Sequence, residues 1–234
     1  VDNESGTLSL LPSSPVKVAK TLNGVVVAPD GKFVFVPADP ARIDTYPIAA
    51  DGSLPAEPSS STTVDDDEPL LTMALDPQGR FAYGVSPFSS KLYVFTVKRD
   101  TGKLSASGEP LLIGPVAHRR SPAFAAPDPN GHFVYVTQMA DGSPVADNGI
   151  RGYAVDQTTG ASTELAGSPF GGVNVFAGAL VFRPDGKFLY SSGGALNAFA
   201  VDAESGALDL VPGSPFTEDI GSDPWAPTMA IDPR

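Results

Sequence analysis

The sequence is poor in the residues that most often build metal and redox sites. It contains no cysteine, and its only histidines are His118 and His132. Without cysteine there can be no disulfide framework, no cysteine-ligated zinc and no cysteine nucleophile. Two histidines also argue against a histidine-rich metal site. We therefore expect no metal centre of these kinds. Because the sequence also has no P-loop and no dinucleotide-binding fingerprint, we expect no organic cofactor.

Basic charge and long apolar runs are scarce as well. The chain has 15 basic and 27 acidic side chains, giving a formal charge of −12. Such a chain repels phosphate backbones and anionic lipid, so we expect no nucleic-acid partner. No apolar run approaches the roughly 20 residues of a membrane-spanning helix, so we expect no membrane insertion.

Glycine and proline are abundant, with 24 of each, and they recur at a regular spacing. A Pro-x-Gly turn followed by a polar and an aromatic residue appears four times, with intervals of 48, 52 and 55 residues between its glycines, which are Gly31, Gly79, Gly131 and Gly186. A second series of turn glycines recurs with a similar spacing, at Gly6, Gly52, Gly102, Gly160 and Gly206. Two markers that share one period indicate an internal repeat of about 50 residues.

The longest internal match supports the same period. Residues 1–15 and 201–215 share ten identical positions of fifteen, at an offset of 200 residues or four periods. Each period contains four short strand patterns and no helical pattern, which excludes an α/β alternation. In the fourth period the predicted strands cover residues 177–182, 188–191, 196–201 and 208–211. The fold class is therefore predicted to be all-β, a β-propeller of four-stranded antiparallel blades.

We expect one β-propeller domain over residues 1–234. Its blade periods are approximately 21–68, 69–120, 121–175 and 176–224, with a partial blade formed from 1–20 and 225–234. Two alternatives remain open: an incomplete five-bladed ring whose ends share that partial blade, or a fragment of a seven-bladed ring. The fragment is favoured because an open ring would expose strand edges.

These repeats resemble the lactonase-type β-propellers and the related surface propellers named for a Tyr-Val-Thr-Asn repeat. The resemblance rests on Pro-Asp-Gly-Lys-Phe-Leu-Tyr at 184–190, Phe-Val-Tyr-Val-Thr at 133–137 and the Gly-Ser-Pro-Phe phrases at 167–170 and 213–216. It implies a propeller, usually of seven blades, but not one activity. Enzymatic members carry a His-rich phrase on an inner strand and an Asp-Leu-Gly-x-Asp segment after the turn. Here the matching inner strands lack histidine, and residues 37–44 keep an acid near each end without the Leu-Gly centre.

Candidate site residues are those expected around the mouth of the central channel. His118, Arg119 and Arg120 directly precede an inner strand, where histidine could serve as acid or base and arginine could grip an oxyanion. A solvated basic loop is the favoured alternative for this run. His132 falls on the opposite face and is predicted to be solvated.

Four further residues are predicted to bind ligand at the mouth: Arg42, Asp66, Glu68 and Trp225. The acidic run at 65–68 could bind Ca²⁺, although it lacks EF-hand spacing and is more typical of a solvated loop. Trp225, the only tryptophan, could form one wall of a sugar or peptide pocket, although such a residue more often caps a blade edge.

Two functions are weighed. The favoured hypothesis is a non-enzymatic scaffold that binds a protein, peptide or glycan at the mouth. The alternative is a lactonase-like hydrolase or isomerase for a small sugar-acid lactone. The acidic composition, rich in Ser, Thr and Gly, indicates a secreted or cell-envelope protein.

Overall fold

A computed structural model describes residues 5, 7–11, 14–18, 24–38, 41–64, 70, 72–86, 89–113, 121–139, 149–171, 178–192, 195–218 and 229–231. All regular secondary structure in these ranges is β-strand. Accordingly, no helix in the described ranges could cross a membrane.

Blade 1 contains β1 (Val26–Val27), β2 (Phe33–Ala38), β3 (Arg42–Pro47) and β4 (Ser60–Thr63). Blade 2 contains β5 (Thr72–Leu75), β6 (Phe81–Ser86), β7 (Lys91–Lys98), β8 (Lys103–Ala106) and β9 (Leu111–Leu112). Blade 3 contains β10 (Ser121–Pro127), β11 (Phe133–Met139), β12 (Ile150–Val155) and β13 (Ser162–Glu164). Blade 4 contains β14 (Leu180–Phe182), β15 (Phe188–Ser191), β16 (Ala195–Val201), β17 (Leu208–Leu210) and β18 (Thr217–Glu218).

Each blade is a separate antiparallel sheet whose strands pair in chain order. This arrangement confirms the predicted all-β propeller class. In blade 4, β15 and β16 lie where the sequence predicted them, whereas the inner strand β14 begins at Leu180 rather than at 177. The inner strand of blade 1 is shorter still, because regular pairing is limited to Val26 and Val27.

The outer edge of each later blade is more irregular than the sequence predicted. In blade 2, β8 pairs with the far half of β7, and β9 returns to pair with its near half. β18 returns in the same way to β16, and in blade 3 a single bridge joins Ile150 and Phe170. In blades 3 and 4 the return is formed at a Gly-Ser-Pro-Phe phrase with a cis Ser-Pro peptide bond. The Gly-Ser-Pro-Phe phrase, one of those on which the family resemblance rests, therefore helps to form the outer edge of a blade.

Apolar side chains from facing blades form three successive cores. The core between blades 1 and 2 includes Phe33, Phe35, Ile43, Tyr93, Phe95 and Leu104. The core between blades 2 and 3 includes Tyr83, Val85, Leu92, Val134, Val136 and Tyr153. The core between blades 3 and 4 includes Phe133, Tyr135, Ile150, Phe182, Leu189 and Phe199. Strand alternation explains the pattern, since successive side chains point to opposite faces and each middle blade supplies two cores.

A glycine and an aromatic ring meet at each blade junction. Gly206, in the last turn of blade 4, has φ +72°, and a Cβ built there would lie 2.7 Å from the Phe133 ring of blade 3. Gly102 faces Phe33 in the same way, and Gly160 faces Phe81. These positions need glycine for the positive φ and for the close approach of the ring. The second glycine series of the sequence therefore marks contacts between repeats as well as turns.

A polar network ties blade 2 to blade 3 on the side of the Pro-x-Gly turns. The buried Asp76 accepts a hydrogen bond from the Phe81 amide at 2.9 Å and one from Nε of Arg80 at 3.0 Å. Nη2 of Arg80 donates to Gln157 of blade 3 at 2.8 Å, and Gln157 donates to the Gly131 carbonyl at 2.6 Å. Every member of the network has a partner, which is the condition for a polar group to be tolerated at a packed junction.

Two matching turns should contribute to acid sensitivity. Asp156 Oδ1 accepts from the amide of Thr159 at 2.7 Å, and Asp202 Oδ1 accepts from the amide of Ser205 at 2.7 Å. These backbone hydrogen bonds, with those from the two hydroxyls, lower the pKa of both carboxyls. Their stabilisation is therefore present above the unfolded pKa of about 3.9 and is lost as the pH falls below it.

We expect the double variant Asp156→Asn, Asp202→Asn to lose less stability than the wild type between pH 5 and pH 3. Urea unfolding at the two pH values measures the difference. Asp209→Asn is the matched control, since this exposed carboxylate accepts no hydrogen bond among the described residues. An equal loss of unfolding free energy between pH 5 and pH 3 in the double variant and the wild type would contradict the prediction.

Candidate functional site

The chain order of the strands defines two ends of the blades. The inner strands β1, β5, β10 and β14 lie around one axis, since β10 contacts both β5 and β14, and β1 contacts β5. The Pro-x-Gly turns join first to second strands at one end. The second strands end and the third strands begin at the other end, which we call the mouth side. Concave mouths of this kind are common ligand sites.

An arginine-carboxylate pair occupies the mouth side of blade 1. Arg42 begins β3, and Asp44 follows two residues later on the same face of the strand, as the period of two requires. Nε of Arg42 donates to Oδ1 of Asp44 at 3.0 Å, and Nη2 donates to Oδ2 at 3.1 Å. The hydroxyl of Ser61, on the paired strand β4, donates to the same carboxylate at 2.6 Å.

The pair is asymmetric in its exposure to solvent. Asp44 is 1% exposed, whereas 35% of the Arg42 side chain reaches solvent. The hydrogen bond and the charge of Asp44 raise the pKa of Arg42 above its usual value, so the guanidinium stays protonated. Two of its five N–H groups are used by Asp44, which leaves the outer edge able to bind an anionic or carbonyl oxygen.

An apolar wall lies beside this pair. Tyr46 packs with Val34 and Val36 on the same face of blade 1. Burial, and then the charge of Asp44, raise the pKa of Tyr46, so the phenol stays neutral. The Arg42 guanidinium therefore stands at the edge of a surface that excludes water on one side, where electrostatic interactions are stronger than in bulk water.

Buried serine hydroxyls mark the mouth-side ends of two other blades. Ser86 ends β6, Ser191 ends β15, and Ser192 follows it. All three side chains are buried, and none has a hydrogen-bond partner within the described part of the chain. Unpaired buried hydroxyls are uncommon in folded proteins, so these are groups that water or a ligand would satisfy.

Of the predicted site residues, the structure describes Arg42. His118, Arg119, Arg120, Asp66, Glu68 and Trp225 lie outside the described residues. Arg42 is described and lies on the mouth side, but its predicted ligand-binding role stays a prediction. His132 is exposed beside its turn, and its ring lies edge-on to the ring of Phe133. In the ranges that the structure describes, no group of three or more acidic or histidine side chains could hold a metal ion.

The sequence analysis missed the partners of Arg42. Asp44 could have been found, because residues two apart on a strand share a face and an Arg-x-Asp pattern there predicts an ion pair. Ser61 could not, because its contact depends on the register of β3 with β4. The buried serines carry no signal in a chain rich in serine.

Comparisons with known proteins place this architecture in a family. No curated protein sequence matches the chain. The family described as "Lactonase, 7-bladed beta-propeller" matches residues 22–218, which is most of the chain. The chain belongs to this lactonase family. The family resemblance drawn from the turn and strand phrases is thereby confirmed.

Solved structures of lactonase-like propellers share the fold at low identity. A putative 6-phosphogluconolactonase from Bacteroides uniformis is 21% identical, with a TM-score of 0.69 over 80% of this chain and 52% of that one. The periplasmic gluconolactonase of Pseudomonas aeruginosa is 21% identical, with a TM-score of 0.64 over 85% of this chain and 54% of that one. The chain thus spans about half the length of these structures. Identity at this level establishes the fold alone.

Family membership changes the balance between the two functions. It supports the lactonase-like alternative better than the non-enzymatic scaffold that the sequence favoured. The scaffold was favoured because the inner-strand histidine is missing, the loops are rich in Ser, Thr, Gly and Pro, and no convergent catalytic set is evident. The family match, in contrast, extends over nearly two hundred residues.

Proposed function

We propose that this lactonase-family chain contributes a site for hydrolysis of a small sugar-acid lactone, and that Arg42 binds an anionic or carbonyl oxygen of that substrate. The proposal is supported chiefly by the family match combined with the fixed, half-exposed guanidinium on the mouth side of blade 1. Two structural relatives described as gluconolactonases agree with the substrate class.

The chemistry needs little beyond positioning and charge. Hydrolysis adds one water to the lactone carbonyl carbon and breaks the ring C–O bond, which gives a hydroxy acid without any change of oxidation state. Negative charge develops on the carbonyl oxygen during the addition. A cation or N–H donor held at that oxygen lowers the barrier, provided that it does not have to reorganise during the reaction.

Arg42 meets this requirement because Asp44 holds it. The two hydrogen bonds fix the plane of the guanidinium, and the buried carboxylate is fixed in turn by Ser61. Asp44 acts through Arg42 and is a positioning residue. His118 stays a predicted acid or base, since an imidazole titrates near neutral pH.

Replacing Arg42 by glutamine tests the role of the guanidinium. We expect the wild type to open glucono-1,5-lactone or its 6-phosphate faster than the spontaneous reaction. We expect Arg42→Gln to lower kcat/KM by about 10²-fold, the usual effect of losing one oxyanion donor. A pH-stat assay of acid release measures both rates.

Arg183→Gln is the matched control. Arg183 pairs with Asp185 two residues away, as Arg42 does with Asp44, but it stands beside a Pro-x-Gly turn at the opposite end of blade 4. Its variant should keep wild-type activity. Turnover unaffected by Arg42→Gln would show that another group binds the substrate. Absence of any turnover above the spontaneous rate would reject the hydrolase and leave the scaffold.

We also infer a cell-envelope location. It is supported by the acidic composition and by the Pseudomonas aeruginosa relative, which is described as periplasmic. Fractionation of the producing cells tests it, and recovery of the protein with the cytosol would contradict it.

A further inference from the structure

A cavity of about 240 Å³ lies between blades 1 and 2, at the end of the blades that carries the Pro-x-Gly turns. It is therefore remote from the mouth side and from Arg42. Its walls are mainly apolar, with an acidic and a basic side chain at the rim, and include Ala28, Pro29, Asp30, Phe33, Val97 and Arg99.

The corresponding place between blades 2 and 3 is filled by polar side chains. A Cβ atom built on Gly131 would lie 2.6 Å from Gln78 Oε1, 2.9 Å from Arg80 Nη2 and 3.4 Å from Asp76 Oδ2. Gly79 is the equivalent glycine at the junction of blades 1 and 2. There the same construction meets only the ring of Pro29, at 3.3 Å.

Three side chains differ between the two junctions, because Ala28, Asp30 and Lys32 of blade 1 stand where blade 2 has Asp76, Gln78 and Arg80. In blade 2 the carboxylate of Asp76 accepts the amide of Phe81 at 2.9 Å, and in blade 3 Asp128 accepts the amide of Phe133 at 2.7 Å. The equivalent position in blade 1 is Ala28. The amide of Phe33 therefore lacks this carboxylate.

The loss of that carboxylate also frees the neighbouring cation. Arg80 folds back onto Asp76 in blade 2, whereas its counterpart Lys32 extends into solvent, with Nζ 3.6 Å from Asp30. The space next to Phe33 therefore contains no counterpart of the Asp76–Arg80 ion pair. What remains is a cavity lined by Phe33, whose amide lacks the aspartate acceptor that the amides of Phe81 and Phe133 have.

The rim of the cavity supplies a positive charge. Arg99 donates one hydrogen bond to the Gln78 carbonyl through Nη2, and no acidic side chain pairs with it in the described ranges. Asp30, the acid on the rim, is engaged by the amide of Lys32 at 3.1 Å and by its ammonium group. The free N–H groups of Arg99 are therefore the strongest charge open to a ligand here.

We propose that this cavity binds a small carboxylate. The ligand carboxylate takes the place of the missing aspartate, accepts the amide of Phe33 and pairs with Arg99. Its short alkyl part lies against Phe33 and Val97. The size agrees, since about 240 Å³ equals the space of roughly eight waters at about 30 Å³ each, enough for an acid of two to four carbons.

Acetate and propionate are the probes, titrated against chloride at equal ionic strength. We expect saturable movement of the Phe33 amide resonance in an NMR titration of the intact chain. We also expect a rise in Tm with carboxylate concentration that chloride does not reproduce, because a ligand bound to the folded state alone stabilises it.

Two variants locate the site. Ala28→Asp supplies the carboxylate from the chain itself and should weaken acetate binding by at least about tenfold while raising Tm. Arg99→Gln removes the charge and should weaken binding by about tenfold, whereas Arg183→Gln, at the turn of blade 4, should leave it unchanged. The proposal is overturned if chloride acts as acetate does, or if Ala28→Asp binds acetate as tightly as the wild type. If Ala28→Asp does not fold, the Phe33 resonance and Arg99→Gln decide the question.

Discussion

Replacing Asp76 by alanine is expected to lower the free energy of unfolding by about 3 kcal/mol. Removing one member of a buried charge pair usually costs about 3–5 kcal/mol, and the lower end applies because Arg80 is 32% exposed. The variant removes the acceptor of the Phe81 amide and the partner of Arg80. It also loosens the link from Arg80 to Gln157 in the next blade.

Asp128→Ala is the matched comparison in blade 3. Asp128 accepts the amides of Asn130 and Phe133 at 3.0 and 2.7 Å but holds no arginine. We expect about 1–2 kcal/mol, the cost of leaving buried amide donors unpaired. Urea unfolding of both variants gives the difference. Equal losses would show that the ion pair with Arg80 and the link between blades contribute nothing.

Replacing Gly206 by alanine should cost about 2–5 kcal/mol. The left-handed backbone at φ +72° costs a non-glycine residue about 1–2 kcal/mol. The added methyl would stand 2.7 Å from Phe133 and 2.8 Å from Leu165, and overpacking of this kind costs about 1–3 kcal/mol. It would also disturb the carbonyl of Gly206, which accepts the hydroxyl of Tyr135 at 2.7 Å.

Gly31→Ala separates the two costs. Gly31 has nearly the same φ, +71°, but a Cβ built there meets nothing within 4 Å. Its variant should therefore lose only the backbone term of about 1–2 kcal/mol. Thermal and urea unfolding of the two variants should rank Gly206→Ala as the less stable. The reverse order would show that the junction between blades 3 and 4 accommodates the extra methyl group.

The blade repeat was predictable because it depends on local chemistry. Turn glycines such as Gly186, followed by an aromatic and an alternating strand, determine a hairpin within a dozen residues. The inner strand of blade 4 was predicted to begin too early, since a small apolar residue such as Ala179 does not reveal where regular pairing starts. The sequence analysis did not predict strands β9 and β18. Each follows an interruption of the outer strand and then pairs with the third strand of its blade, a second pairing that the sequence does not reveal.

The candidate site was less accessible to prediction. Arg42 was identified from its place in the repeat, but its orientation depends on Asp44 and on the strand that carries Ser61. The cavity below Phe33 has no sequence motif of its own. It becomes visible when Ala28 is compared with its counterparts in the other repeats, and its volume is a property of packed side chains.

The pairing of a ring from one blade with a turn glycine from the next bears on how such a chain can grow. Blades 2 and 3 each carry a ring that contacts the next blade and a glycine that contacts the preceding one, Phe81 with Gly102 in blade 2 and Phe133 with Gly160 in blade 3. Copying one whole repeat in the gene therefore copies both halves of a junction, wherever the copied segment begins. A duplication out of step with the period would leave a ring without its glycine, so this pairing favours the gain or loss of whole blades.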